Sequence, residues 1–369
     1  NVYNVAVGYN SGTAVTTGTA NTFIGGRAGD ATTTGSTNVA VGTDALGSNT
    51  TASNNVAIGY DCLVANTTGA TNTALGTSSL ATNTTASNNT AVGHGALTAN
   101  TTGTRNNALG NLSLVANTTG DNNVALGSQT LQANTTADDN TAVGYAALNV
   151  NTTGANNTAV GKFAGLAVTT GGYNTLVGSL AGDSITTAAN NVALGYLAGS
   201  AITTGAQNTA LGSGALSSTT TGLYNIGVGY DANSSSATVT GQCTLGDTNI
   251  TNLRCNDQTI SSLSDSRDKT DVIDSPYGLD FIKTVRPVQF KWESRDGNGK
   301  DGSTRIGFLA QELLAATDGN NAVLDLVMDD NPDKLEAKYG NLLPIAIQAV
   351  QELSTALDAA LARITTLEG

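Results

Sequence analysis

The first two thirds of the chain repeat a short apolar pattern at a fixed interval of 17 residues. Each repeat ends in Gly, which follows Val, Ile or Leu and usually Ala before that, and Asn stands four residues before the Gly. The pattern begins with Asn4-Val5-Ala6-Val7-Gly8 and recurs fourteen times without an insertion, up to Gly229. Thr-Thr follows eight and nine residues after the Gly in thirteen of the fourteen repeats. Such an unbroken phase indicates stacked coils, because an insertion would disrupt the stack.

The alternating run before each Gly predicts a short β-strand that ends at a turn. Seventeen residues are too few for two helices with their turns, so we predict a mainly β fold in which residues 1–233 form a parallel β-solenoid with two short strands per coil. We expect the repeated Asn to hydrogen-bond from coil to coil as a ladder. The inward positions are mostly Ala and Val, which makes a single coil thin, and we therefore expect three copies to share a core.

The 17-residue phase is lost between Ser234 and Leu263. Two strand-like runs in this segment predict a β neck, residues 234–263, that closes the rod: Gln242-Cys243-Thr244-Leu245-Gly246 and Ile250-Thr251-Asn252-Leu253-Arg254-Cys255. Composition then changes. Residues 1–263 hold four basic and ten acidic residues, whereas the last 106 hold eleven basic and eighteen acidic residues, every proline and the only Trp. Two segments of different kinds therefore meet near residue 263, and residues 264–369 read as a small α+β domain.

The C-terminal end of the chain predicts a coiled-coil helix over residues 345–368. Ala346, Leu353, Ala360 and Leu367 are spaced seven apart, and Val350, Leu357 and Ile364 fill the alternate positions of the same stripe. Such a heptad pattern is typical of helices that associate, and we expect three copies to do so here. An amphipathic helix packed on its own domain is the alternative.

Charge and cysteine content exclude several classes of function. Both parts of the chain have more acidic than basic residues, which argues against a nucleic-acid partner. No stretch approaches the roughly 20 apolar residues of a membrane span. Cys62, Cys243 and Cys255 match no zinc spacing, and we expect neither a metal nor a cofactor. In a threefold assembly, Cys243 or Cys255 would alternatively face its own copies near the axis.

Ser264 and Lys269 are the candidate catalytic residues. They stand five residues apart where the two segments meet. A serine hydroxyl needs a base, and lysine serves when burial favours its neutral form. The C-terminal segment has no His, and His94 is alone in the repeats. A cut within the same chain needs no substrate pocket, because the peptide bond is already beside the nucleophile. The spacing alone is typical of a surface loop; its location favours a point where the chain is cut.

Residues 264–369 resemble the S74 peptidase family, the intramolecular chaperone domain of phage tailspikes, tail fibres and endosialidases. The resemblance rests on these runs: Leu263-Ser264-Asp265-Ser266-Arg267-Asp268-Lys269, Gly278-Leu279-Asp280-Phe281-Ile282, Pro287-Val288-Gln289-Phe290-Lys291-Trp292, Gly307-Phe308-Leu309-Ala310-Gln311-Glu312-Leu313 and Tyr339-Gly340-Asn341-Leu342-Leu343-Pro344. It implies a domain that brings three chains together and then cuts the Leu263–Ser264 bond once. Ser264 would be the nucleophile and Lys269 the general base, with no external substrate.

The repeats resemble the heads of trimeric autotransporter adhesins, which are left-handed β-rolls, and repeats of phage tail fibres. Together the two resemblances imply a homotrimeric phage tail-fibre or receptor-binding fragment, assembled in the host cytoplasm and carried on the virion. Its partners would be a host cell-surface receptor and, through an N-terminal portion missing from a chain that opens in mid-repeat, other tail proteins.

Several alternatives stay open at this stage. A trimeric bacterial surface adhesin with a non-cleaving trimerisation cap has similar repeats, but that class ends in a membrane anchor. A glycan-degrading solenoid needs paired carboxylates, whereas the repeats have scattered Asp and no Glu. Asn-Thr-Thr matches the N-glycosylation acceptor pattern. Rows of Thr occur on solenoids that bind ice, but adjacent threonines on a strand would point to opposite faces.

Overall fold

The structure is a computed structural model that describes residues 3–250, 264–291, 304–333 and 335–368. The chain divides into two compact units, residues 1–247 and 248–369, each with its own apolar core. We call them the solenoid unit and the C-terminal unit. Cys255, Leu263 and Trp292 lie outside the described residues, as does most of the second predicted neck strand.

The solenoid unit contains one parallel sheet of fifteen three-residue strands, which pair in chain order. Each strand residue pairs with the residue 17 positions further on, as Ala91 does with Ala108. The predicted parallel β-solenoid with 17-residue coils is confirmed. The strands are β1 (Val5–Val7), β2 (Thr22–Ile24), β3 (Val39–Val41), β4 (Val56–Ile58), β5 (Thr73–Leu75), β6 (Thr90–Val92), β7 (Asn107–Leu109), β8 (Val124–Leu126), β9 (Thr141–Val143), β10 (Thr158–Val160), β11 (Thr175–Val177), β12 (Val192–Leu194), β13 (Thr209–Leu211), β14 (Ile226–Val228) and β15 (Cys243–Leu245).

Each coil has one strand, and the prediction of two was wrong. The rest of a coil is turns, because three positions have positive φ and interrupt any extended run. In the coil after β6 they are Gly95 at 68°, Leu97 at 52° and Arg105 at 59°. The pairing also continues beyond residue 233, since Ile226 of β14 pairs with Cys243 of β15. The first part of the predicted neck is therefore one more coil.

The Gly that ends each strand is required by both backbone conformation and space. Gly93 has φ of 130°, which side chains rarely allow. A Cβ on Gly93 would lie 2.5 Å from the carbonyl oxygen of Gly110 in the next coil. The coils approach each other too closely here for any side chain.

The repeated Asn before each strand is buried and links neighbouring coils. The Oδ1 atom of Asn21 accepts a hydrogen bond from the backbone N–H of Asn38 at 2.9 Å. The Nδ2 atom of Asn38 in turn donates to the carbonyl of Ala52 at 2.9 Å. The predicted ladder therefore exists, but it runs mainly between side chains and backbone. It satisfies buried backbone groups that a turn would otherwise leave unpaired.

The inside of the solenoid is filled by its own chain. Alanines at the middle of most strands are buried, and so are larger side chains such as Leu97, Leu148 and Ile185. These residues form one continuous core along the unit. The premise that the coils are too thin to hold a core of their own is therefore wrong, because the buried leucines that fill the coil lie in turns, outside the alternating strand pattern. The association of three copies stays a prediction.

Two kinds of coil fill this core in different ways. In seven consecutive coils, Leu four residues after the Gly and Asn seven residues after it are both fully buried, as with Leu97 and Asn100. Asn100 Nδ2 donates to Asn83 Oδ1 at 3.0 Å and to the Gly103 carbonyl at 2.9 Å, which forms a second Asn ladder. Three later coils have Gly and an aliphatic residue instead, such as Gly182 and Ile185. A Cβ on Gly182 would lie 2.9 Å from Ile185 Cδ1, so only one of the two positions holds a large side chain.

The Asn-Thr-Thr triplets take part in this stacking. Asn100 is fully buried, which argues against glycosylation there. The first threonine of the pair, Thr101, donates its hydroxyl to the Thr118 carbonyl at 3.0 Å, whereas the second, Thr102, is exposed. Both lie outside the strands, so the alternation of side chains along a strand does not determine where these threonines point. The exposed row is a single residue wide.

We expect the buried Leu and Asn of one kind of coil to be replaceable by the Gly and aliphatic residue of the other kind only when both are changed together. Leu97→Gly removes a buried side chain and should lower the free energy of unfolding by about 2–5 kcal/mol. Asn100→Ile leaves Asn83 Oδ1 without its side-chain partner and should cost about 1–3 kcal/mol. The double variant should lose clearly less unfolding free energy than the two single variants together, because the Ile side chain refills the space left by Leu97. Chemical denaturation followed by circular dichroism measures this, with Thr102→Ala as a near-neutral control; additive losses would contradict the two-coil interpretation.

The C-terminal unit is small and mixed. Its elements are a 3₁₀ turn (Ser266–Asp268), α1 (Leu279–Ile282), β16 (Val288–Lys291), β17 (Thr304–Gly307), α2 (Ala310–Ala316), α3 (Asn321–Leu324), β18 (Val327–Met328), β19 (Glu336–Ala337), a second 3₁₀ turn (Tyr339–Asn341) and α4 (Leu342–Glu368). The pairs β16–β17 and β18–β19 are antiparallel. Leu313, Leu326 and Ile345 are buried in its core. Among the described helices, none is long and apolar enough to cross a membrane.

Helix α4 packs on its own unit only at its beginning. Leu342, Ile345 and Ala349 are buried, which matches the alternative of a packed helix for the first turns. From Val350 to Glu368 every residue is exposed. The heptad residues of this part are therefore open to solvent in a single chain, with Val350 66 % and Leu357 58 % exposed.

Candidate functional site

The segment 264–269 folds into a tight turn. Ser266–Asp268 form the 3₁₀ turn, and Asp265 is its N-cap residue. Asp265 Oδ1 accepts a hydrogen bond from the backbone N–H of Arg267 at 2.9 Å. The Arg267 side chain reaches back to the same carboxylate, with Nη2 2.6 Å from Oδ2. Aspartate is among the preferred N-cap residues, so this short sequence is well suited to the turn.

The turn brings the two candidate residues together. Lys269 ends it in an extended conformation, with φ of −123° and ψ of 139°. Its Nζ donates a hydrogen bond to Ser264 Oγ at 2.5 Å. Ser264 and Lys269 thus have the proximity required of a nucleophile and its base.

The two side chains are exposed to solvent in the single chain. A lysine accepts a proton only as the neutral amine, a form that burial favours. The turn therefore supplies the contact between nucleophile and base but no desolvation. Leu263 lies outside the described residues, and its carbonyl is the group to which oxyanion donors would bind.

Electrostatics stabilise the turn. The hydrogen bond from Arg267 lowers the pKa of the Asp265 carboxyl below its ordinary value. The pair is therefore ionised at neutral pH. Sequence reasoning quoted Asp265 and Arg267 within the motif but assigned them no role. The sequence does contain a signal for the role of Asp265, since Asp before a short helical turn is a capping pattern.

Other titratable residues have structural roles. Glu312 is paired with Arg286, which lowers the pKa of the Glu312 carboxyl. Burial raises the pKa of the Cys62 thiol to about 11. His94 lies on the solenoid surface beside Asn111. Within the described ranges, no group of three or more His, Cys, Asp or Glu residues is placed to hold a metal ion.

A further contact was not anticipated from the sequence. The Glu352 carboxylate of α4 accepts a hydrogen bond from the backbone N–H of Leu279 at 2.7 Å, at the start of α1. A Cβ on Gly278 would lie 2.2 Å from Glu352 Oε1, so a side chain there would displace the Glu352 carboxylate from this contact. This contact ties the last docked part of α4 to the unit.

Comparison with known families finds a match within the C-terminal unit. Residues 264–324 match the family model of the S74 peptidases, described as the chaperone of endosialidase. The match begins at Ser264 and includes the turn, α1 and α2. It confirms the resemblance drawn from the sequence and covers the first 61 residues of the segment on which that resemblance rested. Comparison with curated proteins and with solved structures found no match.

Proposed function

We propose that the chain is a fragment of a bacteriophage tail-fibre or receptor-binding protein with a self-releasing chaperone. In this proposal the C-terminal unit directs the assembly of three copies and then cuts the chain between Leu263 and Ser264. The main support is the 2.5 Å contact between Lys269 Nζ and Ser264 Oγ, at the first residue of the match to the chaperone family.

The proposed reaction uses only the chain itself. The neutral amine of Lys269 takes the proton of the Ser264 hydroxyl, and Oγ attacks the carbonyl carbon of Leu263. The C–N bond breaks, the nitrogen of Ser264 takes up a proton, and Leu263 is held as an ester on Ser264 Oγ. Water then hydrolyses the ester and regenerates the hydroxyl. Each chain reacts once, and no external substrate is needed because the bond is already in place.

Association of copies would complete this site. Ser264 and Lys269 are exposed in one chain, whereas proton transfer to lysine is favoured by burial. We propose that neighbouring copies cover the turn and exclude water from it. Cleavage would then follow assembly, and the released fibre would be a trimer that cannot easily unfold, since the chaperone that assisted its folding has left.

Helix α4 supports association of the chaperone units. Its exposed part carries an apolar seam with heptad spacing, which includes Leu353, Leu357 and Ile364. An exposed seam of this length on a helix that leaves its own domain is typical of a coiled coil. We propose that three copies of α4 pack along it.

The solenoid unit would be the part that remains on the virion. Fifteen coils at about 4.8 Å each form a rod roughly 70 Å long. We propose that it presents a binding surface to a receptor on the host cell and joins other tail proteins through an N-terminal portion. The alternative, an adhesin fragment with a permanent trimerisation cap, predicts the same trimer without the cut.

We expect the purified wild-type chain to separate on a denaturing gel into two fragments that meet at Leu263 and Ser264, identified by mass. Ser264→Ala should stay whole because the nucleophile is gone. Lys269→Arg should also stay whole, since arginine keeps the charge and the donor but does not act as a base.

Ser266→Ala, two residues from the nucleophile in the same turn, is the matched control and should be cut like the wild type. A wild-type chain that forms trimers and remains intact would refute the proteolytic role and favour the adhesin alternative. Cutting in the Lys269→Arg variant would show that Lys269 is not the base.

The turn that positions Lys269 should affect the rate of cleavage. Asp265→Ala removes both the cap and the partner of Arg267, and we expect cleavage to slow by about 10- to 100-fold because the two reacting groups lose their alignment. Asp265→Asn keeps an oxygen that caps the turn and should recover much of the rate. A time course of fragment formation measures this. Equal rates for Asp265→Ala and the wild type would exclude a positioning role.

The seam of α4 should determine the oligomeric state of the chaperone. In the uncut Ser264→Ala background, Leu353→Lys with Leu357→Lys places charges within the seam and should prevent trimers from forming. Thr355→Lys with Ala362→Lys adds the same charge on the opposite side of the helix and should leave the trimer intact. Sedimentation equilibrium distinguishes these results, and a trimer in the first variant would exclude the seam as the contact.

A further inference from the structure

The outward side of the solenoid sheet carries one column of apolar side chains along its whole length and a second column that mixes apolar residues with Thr and Asn. We call outer strand face the first and third side chains of strands β1–β15. The third residue is Val, Ile or Leu in every one of these strands. Several are well exposed, including Val7 at 57 %, Leu194 at 50 % and Leu245 at 54 %. The middle residues point inwards, and from β2 to β14 they are buried.

The outer strand face also carries no charge. The first residues of the strands are Val, Thr, Ile, Asn or Cys. Every charged residue in the described solenoid lies elsewhere on the coils: Arg27, Asp30, Asp44, Asp61, Arg105, Asp121, Asp138, Asp139, Lys162, Asp183, Asp231 and Asp247. A charge-free surface with an apolar column that continues over fifteen strands is unusual on the outside of a soluble monomer.

Parallel sheets are almost always covered on both faces. In one chain the turns of the coil cover only the inner face of this sheet, which leaves the outer strand face uncovered. Fifteen strands with about 4.8 Å spacing and about 10 Å of strand length give an area on the order of 700 Å². This is similar to the roughly 800 Å² that each partner contributes to a standard stable interface.

We propose that the outer strand face packs against the same face of other copies of this chain, side by side and in parallel. A copy of the chain has the same axial repeat, so both columns of side chains find matching neighbours over all fifteen strands. The solenoids would thus join through their surfaces, while each keeps its own closed core. This inference rests on the proposed trimer and adds the face through which its solenoids meet.

Cysteine cross-linking tests the proposal, because Cys243 is the first residue of β15 and is exposed on the outer strand face. In the full chain with Cys255→Ser, a short bismaleimide should link Cys243 between chains, which a denaturing gel detects. Cys62 is buried and serves as an internal unreactive thiol.

A matched pair of new thiols locates the interface in the middle of the rod. Both are placed in a Cys243→Ser and Cys255→Ser background. Leu109→Cys lies on the outer strand face, where Leu109 is 48 % exposed, and should link chains. Thr102→Cys lies on the exposed threonine row of the adjoining coil and should not.

Sedimentation of the same samples separates this inference from the proposed function. A trimer that links through Thr102→Cys, or fails to link through Leu109→Cys and Cys243, would overturn the assigned face and leave the trimer standing. A monomer would overturn both. A trimer linked at Leu109→Cys and Cys243 alone would establish the face.

Discussion

Stacking of each coil on the coil 17 residues further along is the constraint on which the solenoid depends. Backbone hydrogen bonds, the two Asn ladders and the first threonine of each pair all join residues separated by about one repeat. One point of close approach is the Gly at the strand end, where Gly93 meets the Gly110 carbonyl. A one-residue insertion would shift all of these contacts at once. This explains why the phase of the repeats is kept more strictly than their composition.

Much of the fold could be predicted from the sequence because phase is a geometric property. The period of 17 residues predicts the coil, and the constant Asn predicts a ladder. The number of strands per coil was missed because it depends on left-handed residues such as Leu97, which ordinary propensities place elsewhere. The closed core was missed for the same reason, since the buried leucines belong to turns. The last coil was missed because Gln242 replaces the repeated Asn, although its backbone N–H still donates to Asn225 Oδ1 at 3.0 Å.

For the candidate site, the sequence predicted the residues but not their surroundings. The residues Ser264 and Lys269 followed from a motif, and their contact follows from a turn that Asp265 caps. Ser264 and Lys269 are exposed in one chain, and whether they are desolvated depends on what covers the turn. In the same way, one chain does not show what covers the exposed seam of α4. In both places a single copy leaves apolar or reactive groups in water, which is typical of a protein whose chemistry is completed by assembly.

The two kinds of coil have a consequence for how such a solenoid changes over generations. Within the seven coils that share buried Leu and Asn, such as those around Leu97 and Leu114, neighbours are nearly equivalent. Loss or duplication of one whole repeat there would restore every ladder and every glycine contact in the new neighbours. The length of the rod is therefore free to vary in steps of about 4.8 Å while its cross-section stays the same. The length of the solenoid can thus evolve separately from the side chains that its coils present.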